Sequence, residues 1–391
     1  MSSKAHDPLQ LVHDFTLRVR SGVAELEGPR GRCSVPLEGL FQVLAAFERP
    51  TSASRALAAI RGGGAGDTVE QETAARELQA TGVIGDPSAA APPGGFADPE
   101  IHARMLHDSD RVEAYLEAIA QVVRPGDVVV DLGTGTGILA VAAARAGARR
   151  VYAIEESAIA DVAEEVFVRN GVADRVTLVR GHSTRVQLPE RANVLVTETL
   201  GNDPLGEAML VYIDDARRRL LAPGARILPS QLRLAVHALG LPPDRVPALD
   251  EETIEGWRTR YGIDLGPLWS RHAGATTHLS ENANTASTFS RVGEPTPLEH
   301  LDLAGEISAT AEREISLLAT CDAPRVGLAL GYDVQLAESV ALAVGPHGPP
   351  GSHWGFPVFA PLAPTGVVAG ETIAVRFSRS LVRCWLDLIP R

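Results

Sequence analysis

Apolar and polar positions divide the chain into three stretches of different period. Up to about residue 84, strand-like runs at 15–19 and 23–26 are joined by Arg20-Ser21-Gly22, which predicts a β-hairpin. Helical spacing follows over 37–47, 54–60 and 69–81, the last stopped by Gly82. A hairpin with three short helices predicts a small α+β domain over 1–85, winged-helix-like or peptide-binding in outline. Residues 86–95, Asp-Pro-Ser-Ala-Ala-Ala-Pro-Pro-Gly-Gly, are too rich in breakers and small residues for a regular element and read as a linker.

From 96 to 229, short β-branched runs at 128–132, 151–154, 176–179 and 194–197 alternate with helical stretches such as 138–146 and 160–170. Strand–helix alternation predicts a parallel sheet covered by helices on both faces, a Rossmann-like α/β domain. From 230 to 391 the pattern changes again. Runs at 232–238, 306–311, 314–319, 326–334, 340–344 and 372–378 read as strands, which predicts an antiparallel β-barrel or sandwich. Within that stretch only 249–261, flanked by Pro242, Pro243 and Pro247, has clear helical spacing.

Composition narrows this picture only a little. At 391 residues the chain can bury more than one core. No apolar run approaches the roughly 18–20 residues that span a bilayer, and the first seven residues lack the apolar core of a signal peptide. The expectation is therefore a cytoplasmic protein without a membrane partner. Cys33, Cys321 and Cys384 lie far apart with no C-x-x-C spacing, so no metal site or disulfide framework is expected. A formal charge of −13 argues against a nucleic-acid partner and suits a cationic one.

Candidate chemistry begins at Val128-Val129-Val130-Asp131-Leu132-Gly133-Thr134-Gly135-Thr136-Gly137, a buried strand entering a glycine turn that opens a helix. Glycine lets a backbone turn sharply and approach a ligand where a Cβ would clash. The next strand ends at Glu155, where a carboxylate can accept from both hydroxyls of a ribose. A dinucleotide site is the competing reading, since G-x-G-x-x-G sets a helix N-terminus against a pyrophosphate. Here the spacing is G-x-G-x-G, and the preceding Asp131 would repel phosphate but attract an ammonium. S-adenosylmethionine, which has an ammonium group and no phosphate, is the expected cofactor.

After the fourth strand comes Thr197-Glu198-Thr199-Leu200-Gly201-Asn202-Asp203-Pro204-Leu205-Gly206-Glu207-Ala208-Met209-Leu210. Two glutamates share a loop leaving the carboxyl end of a central strand, where open α/β sheets place ligands. Glycine and proline between them let the loop double back. Two carboxylates facing one pocket suit a guanidinium, whose N–H groups form a planar fork. The plain alternative is a pair of solvated loop residues, the usual fate of glutamate.

This loop resembles the double-E loop of the protein arginine methyltransferase family. Glu207-Ala208-Met209-Leu210 is similar to its E-S-M-L ending, and Val196-Thr197-Glu198 with Leu205-Gly206-Glu207 to the branch that stops at monomethylarginine. Gly147-Ala148-Arg149, Glu155, Ser352-His353-Trp354 (resembling its T-H-W loop) and Gly370-Glu371-Thr372-Ile373 extend the likeness over about 96–378. The resemblance implies that Glu198, Glu207 and His353 are catalytic, with His353 paired to an acid. It implies that Arg111 binds the donor's carboxylate, that Asp131, Gly133 and Gly135 line its pocket and that Glu155 holds its ribose. Met105 would limit room at the acceptor nitrogen and Trp354 would wall the pocket. It also implies a homodimer, since 249–261 resembles the family's dimerisation arm near 242–265.

Departures accompany the likeness. Of the family's Y-F-x-x-Y segment, aligned with 92–96, only Phe96 keeps an aromatic. Thr184 stands where an adenine-contacting glutamate is usual, and Thr199 and Asn202 replace loop aromatics. The lid, adenine contacts and acceptor entrance are therefore expected to differ. The acceptor is expected to be free L-arginine or a small guanidino metabolite, as in bacterial natural-product pathways such as that to streptozotocin. Arginine in a protein or precursor peptide docked by the N-terminal domain is the alternative. A non-catalytic scaffold is disfavoured by the intact Glu198, Glu207 and glycine turn.

Overall fold

The computed structural model of the chain describes residues 10–11, 16–20, 23–28, 31–36, 40, 43–44, 56, 68–81, 83–85 and 95–389, apart from 247–248, 273, 347 and 349–351. They fall into two compact units, Met1–Pro99 and Glu100–Arg391. In the first, β1 (Gln10–Leu11), β2 (Thr16–Arg20), β3 (Val23–Gly28) and β4 (Gly31–Pro36) precede α1 (Thr68–Ala80) and β5 (Ile84–Gly85). Strands β2, β3 and β4 form an antiparallel meander, and β1 pairs with β5. Alternation decides the faces: Ala24, Leu26, Cys33 and Val35 are buried while Val23, Glu25, Arg32 and Ser34 are exposed. The buried set joins Ala74, Ala75 and Leu78 of α1 in one apolar cluster.

The expected hairpin is present, and β4 adds a strand that the spacing did not suggest. Gly28-Pro29-Arg30-Gly31 reads as loop, and the alternation beyond it spans barely one strand. The helices expected at 37–47 and 54–60 and the linker at 86–95 lie almost wholly outside the described residues. Phe96 sits half exposed in a single 3₁₀ turn, Gly95–Ala97. Residues 92–94 of its aligned segment are outside the description.

The second unit opens with α2 (Pro99–His107) and α3 (Ser109–Val122). Then β6 (Val128–Leu132), α4 (Ile138–Arg145), β7 (Arg150–Glu155), α5 (Ala160–Arg169), β8 (Val176–Arg180), β9 (Ala192–Thr197), α6 (Met209–Arg219) and β10 (Leu221–Leu228) build a parallel sheet in the order β10-β9-β6-β7-β8. All five residues of β6 are buried. Each fully buried Val or Leu contributes about 1.5–3 kcal/mol, which favours continuous apolar runs in a central parallel strand. Strand β6 pairs with β7 on one side and β9 on the other, with Leu132 opposite both Ile154 and Thr197. The chain order reverses there, and such a switch point opens a crevice at the carboxyl ends. Gly133, Glu155 and Glu198 all begin at that crevice.

The remainder comprises β11 (Gln231–Gly240), α7 (Glu251–Tyr261), α8 (Gly266–His272), β12 (Thr276–Glu281), α9 (Ala283–Ala286), β13 (Ser290–Arg291), β14 (Thr296–Asp302), β15 (Ala311–Leu318), β16 (Val326–Ala337), β17 (Val340–Val344), β18 (Phe356–Pro361), β19 (Thr372–Arg379) and β20 (Cys384–Leu388). Strands β12, β18, β16, β11 and β13, with β14 and β17 attached, form a seven-stranded sheet, and β15-β19-β20 a second. Every pairing in these two sheets is antiparallel. An antiparallel two-sheet domain therefore follows the Rossmann-like one, as the periodicity implies.

One expected strand is corrected. Residues 306–310 belong to no strand: Gly305 turns back onto the Asp302 carbonyl, and Arg379 donates to the Ser308 carbonyl at 2.8 Å. The helix expected at 249–261 starts at Glu251, where Asp250 caps it by accepting from Thr253 N at 2.8 Å.

Candidate active site

The donor face is built largely from backbone. Gly133, Gly135 and Gly137 have φ of 73°, 54° and 85°. A Cβ on Gly137 would lie 2.4 Å from the Phe167 ring, and one on Gly135 3.0 Å from His102. The second and third glycines are thus required by conformation and by space together. Glu155 is fixed at the mouth: Oε2 accepts from Gly135 N at 3.0 Å and Oε1 from Ser157 N at 2.9 Å.

Asp131 lies beneath the turn, where one carboxylate oxygen accepts from the Thr134 hydroxyl. Its other oxygen is buried and has no partner among the described residues. Burial pushes this carboxyl up to about 7, against the pull of Thr134 and the Ala140 N–H. From α3 comes Arg111, whose guanidinium pairs with Glu198 and donates from Nη2 to the Met105 carbonyl at 2.6 Å. Its Nε is buried without a partner among the described residues. Buried orphans are costly. An acceptor on Asp131 and a donor on Arg111 fit the ammonium and carboxylate of an amino-acid ligand, and Glu155 fits a ribose. These residues suit S-adenosylmethionine. Thr184, beyond β8, is engaged with His182, its hydroxyl 2.8 Å from Nδ1.

The candidate acceptor face is the loop between β9 and α6. It folds back at Gly201, where a Cβ would stand 3.3 Å from Glu207 Oε1. Ala208, at φ 60°, is a left-handed non-glycine residue that turns the chain into α6. Burial and then the nearby charge of Glu198 push Glu207 up to about 7, with Arg111 opposing. The two carboxylates therefore share one desolvated site, and the solvated-loop alternative does not describe them.

Asp108 organises the wall. It caps α3 through Arg111 N at 3.2 Å. It also accepts from Ser352 Oγ at 3.1 Å and from His353, both N and Nδ1, at 2.9 Å. Burial works to raise this carboxyl, but the bonds from His353, Arg111 and Ser352 outweigh it and hold it below the usual value. With Nδ1 donating to the Asp108 carboxylate, His353 is held in the tautomer whose Nε2 carries the lone pair. Trp354 is buried, donates Nε1 to the Leu200 carbonyl at 2.9 Å and stacks its ring 5.6 Å from the Arg111 guanidinium carbon. Met105 stays half-buried on α2 and is tied to Arg111 through its carbonyl.

Several participants carried little signal in the sequence. Asp108 was discoverable as an N-cap before a helical run. His102 at the glycine turn, and Tyr115 and Tyr332 near the glutamates, are single residues outside any motif, placed only by tertiary contact.

Comparison with known proteins agrees with this geometry. The family model for ribosomal protein L11 methyltransferase (PrmA) matches residues 112–228. The chain is 32% identical to an arginine N(omega)-methyltransferase of Streptomyces achromogenes subsp. streptozoticus, over 72% of this chain and 76% of that protein. It is 41% identical to the probable protein arginine N-methyltransferase 6 of Arabidopsis thaliana over 44% of this chain, a match spanning only 39% of the plant protein. Among solved structures, the Trypanosoma brucei PRMT1 enzyme–prozyme heterotetrameric complex with AdoHcy aligns with a TM-score of 0.58 at 25% identity, covering 73% of this chain and 89% of that one. The chain belongs to the protein arginine N-methyltransferase family of S-adenosylmethionine-dependent enzymes.

Proposed function

We propose that the chain methylates one terminal guanidino nitrogen of free L-arginine, once, and acts as a homodimer. The observation that carries the acceptor chemistry is the convergence of Glu198 and Glu207, with a guanidinium, that of Arg111, already seated on Glu198. The donor, when bound, supplies an electrophilic methyl group on a sulfonium centre. Asp131 and Arg111 hold its amino-acid end and Glu155 its ribose.

Glu198 and Glu207 grip the substrate guanidinium from two sides, each charge-assisted bond contributing about 1.5–3 kcal/mol. By drawing positive charge toward the gripped nitrogens they leave the remaining terminal nitrogen richer in electrons. Holding that nitrogen in line lowers the barrier by up to roughly 7–11 kcal/mol. Methylation makes the product more acidic, and Glu207, near 7, is matched to accept the released proton at neutral pH. His353, held by Asp108, keeps Nε2 for onward transfer.

Support for the free amino acid comes from the Streptomyces relative, whose name carries arginine without a protein. Arginine in a peptide is the second reading, favoured by an N-terminal unit with its own apolar core. Labelled donor offered with free arginine or an arginine-rich peptide tests the choice, and methylation of the peptide alone sinks the first reading. Dimer formation is supported by Tyr261, Ile263 and Leu268, 56%, 58% and 43% exposed around α7 and α8. Sedimentation of Ile263→Asp tests it: a dimer unaffected by this change speaks against the arm.

A further inference from the structure

The acceptor loop is tied to the antiparallel domain at four successive residues. The Leu200 carbonyl accepts from Trp354 Nε1 at 2.9 Å and the Gly201 carbonyl from the Tyr332 hydroxyl at 3.0 Å. Asn202 accepts from Gly355 N at 2.7 Å and donates to Ser280 Oγ at 2.9 Å, and Asp203 accepts from Cys384 N at 3.0 Å. The partners come from β12, β16, β20 and the segment before β18.

We propose that Tyr332 is a positioning residue, whose hydroxyl holds the fold-back at Gly201 and so keeps Glu207 desolvated opposite Glu198. This rests on the acceptor reading of those two glutamates. Gly201 is the point where a side chain would touch Glu207, so a displaced carbonyl there moves the backbone against which that carboxylate packs. Tyr332 is fully buried on a central strand and stands edge-on to Trp354 with ring centroids 6.5 Å apart. Phenylalanine would supply the same packing. The hydroxyl is explained by its bond to the Gly201 carbonyl. Burial, together with Glu198, Glu207 and Asp203, keeps this phenol far above its usual range, so it remains a donor at every working pH.

The test is Tyr332→Phe. Its expected signature is about a ten-fold loss of kcat, the worth of one hydrogen bond, with affinity for S-adenosylhomocysteine unchanged within about two-fold. A loosened loop lets water reach Glu207, so the acid limb of kcat/KM moves to lower pH. The other groups facing Glu207 electrostatically, Glu198 and Arg111, stay in place, as does Tyr212 on α6. Val334→Ala, on the same strand and fully buried, is the control: it lowers Tm without moving that limb. Should Tyr332→Phe fail to fold, Trp354→Phe removes the neighbouring tether and is expected to move the limb in the same direction. Unchanged kcat and limb in Tyr332→Phe, beside a dead Glu198→Gln, overturn the positioning role alone. Full turnover in both variants overturns the acceptor reading beneath it.

Discussion

The proposed donor and acceptor faces meet at one crevice but are built by opposite means. The donor face is local: Asp131, Gly133, Gly135, Gly137 and Glu155 sit on two adjacent strands and one turn, and the Gly135 N–H itself holds Glu155. The acceptor face has little regular structure of its own. Its loop is held by Tyr332, Trp354, Gly355 and Cys384, reaching from more than a hundred residues away. A local site tolerates change elsewhere, whereas a tethered loop transmits it. Substitutions in the antiparallel domain should therefore damage turnover before donor binding.

The sharpest way to break this contrast is Glu198→Gln. Loss of the charge proposed to grip the substrate should lower kcat by about a thousand-fold, comparable to removing a group that stabilises developing charge. S-adenosylhomocysteine should still bind, as calorimetry would show, and equal loss of both functions would dissolve the distinction between the faces. On the donor side, Asp131→Asn removes an acceptor for the ammonium and should weaken S-adenosylmethionine by about ten- to a hundred-fold, the worth of a bond to a charged group. The KM for arginine at saturating donor should hold, and a change confined to that KM would place Asp131 on the wrong face.

Titration gives a third test. Glu207, raised to about 7, is ionised above that value and protonated below it. At saturating donor, kcat/KM should fall about ten-fold per unit as pH drops below about 7. This limb should be lost with what activity remains in Glu207→Gln, and a limb that persists there belongs to another group. The smallest effect is expected from Asn202→Ala, which removes one of four tethers. Its two bonds, from Gly355 N and to Ser280 Oγ, are neutral and lie toward solvent, so a loss of about three-fold in kcat is expected, and a loss as large as that of Glu198→Gln would make Asn202 part of the chemistry.

The same contrast explains what was legible in the sequence. Strands β6, β7 and β9 and the glycine turn announce themselves because buried parallel strands are continuous apolar runs and the turn chemistry lies next to them. Glu198 and Glu207 were visible as a spacing but gained meaning only from the family likeness and then from the fold-back at Gly201. In the antiparallel domain the hydrophobic pattern does not reveal β12, β13, β14, β18 and β20. Strand β12 is mostly half-exposed and lacks alternation, β14 carries Pro297, and β18 is bounded by Pro357 and Pro361. Tyr332 looked like one more apolar residue of β16. Its hydroxyl has a purpose only against a carbonyl 131 positions away, and no local pattern records that.

Paired carboxylates should select a guanidinium over a neutral or a single-nitrogen acceptor. L-arginine, L-citrulline and L-lysine, each supplied with labelled S-adenosylmethionine and the methyl located by NMR, test it most directly. One methyl group is expected on a terminal guanidino nitrogen of arginine, with no transfer to the neutral ureido group of citrulline or to the amine of lysine. Transfer to citrulline or lysine at a comparable rate, or a methyl on the α-nitrogen of arginine, would contradict it.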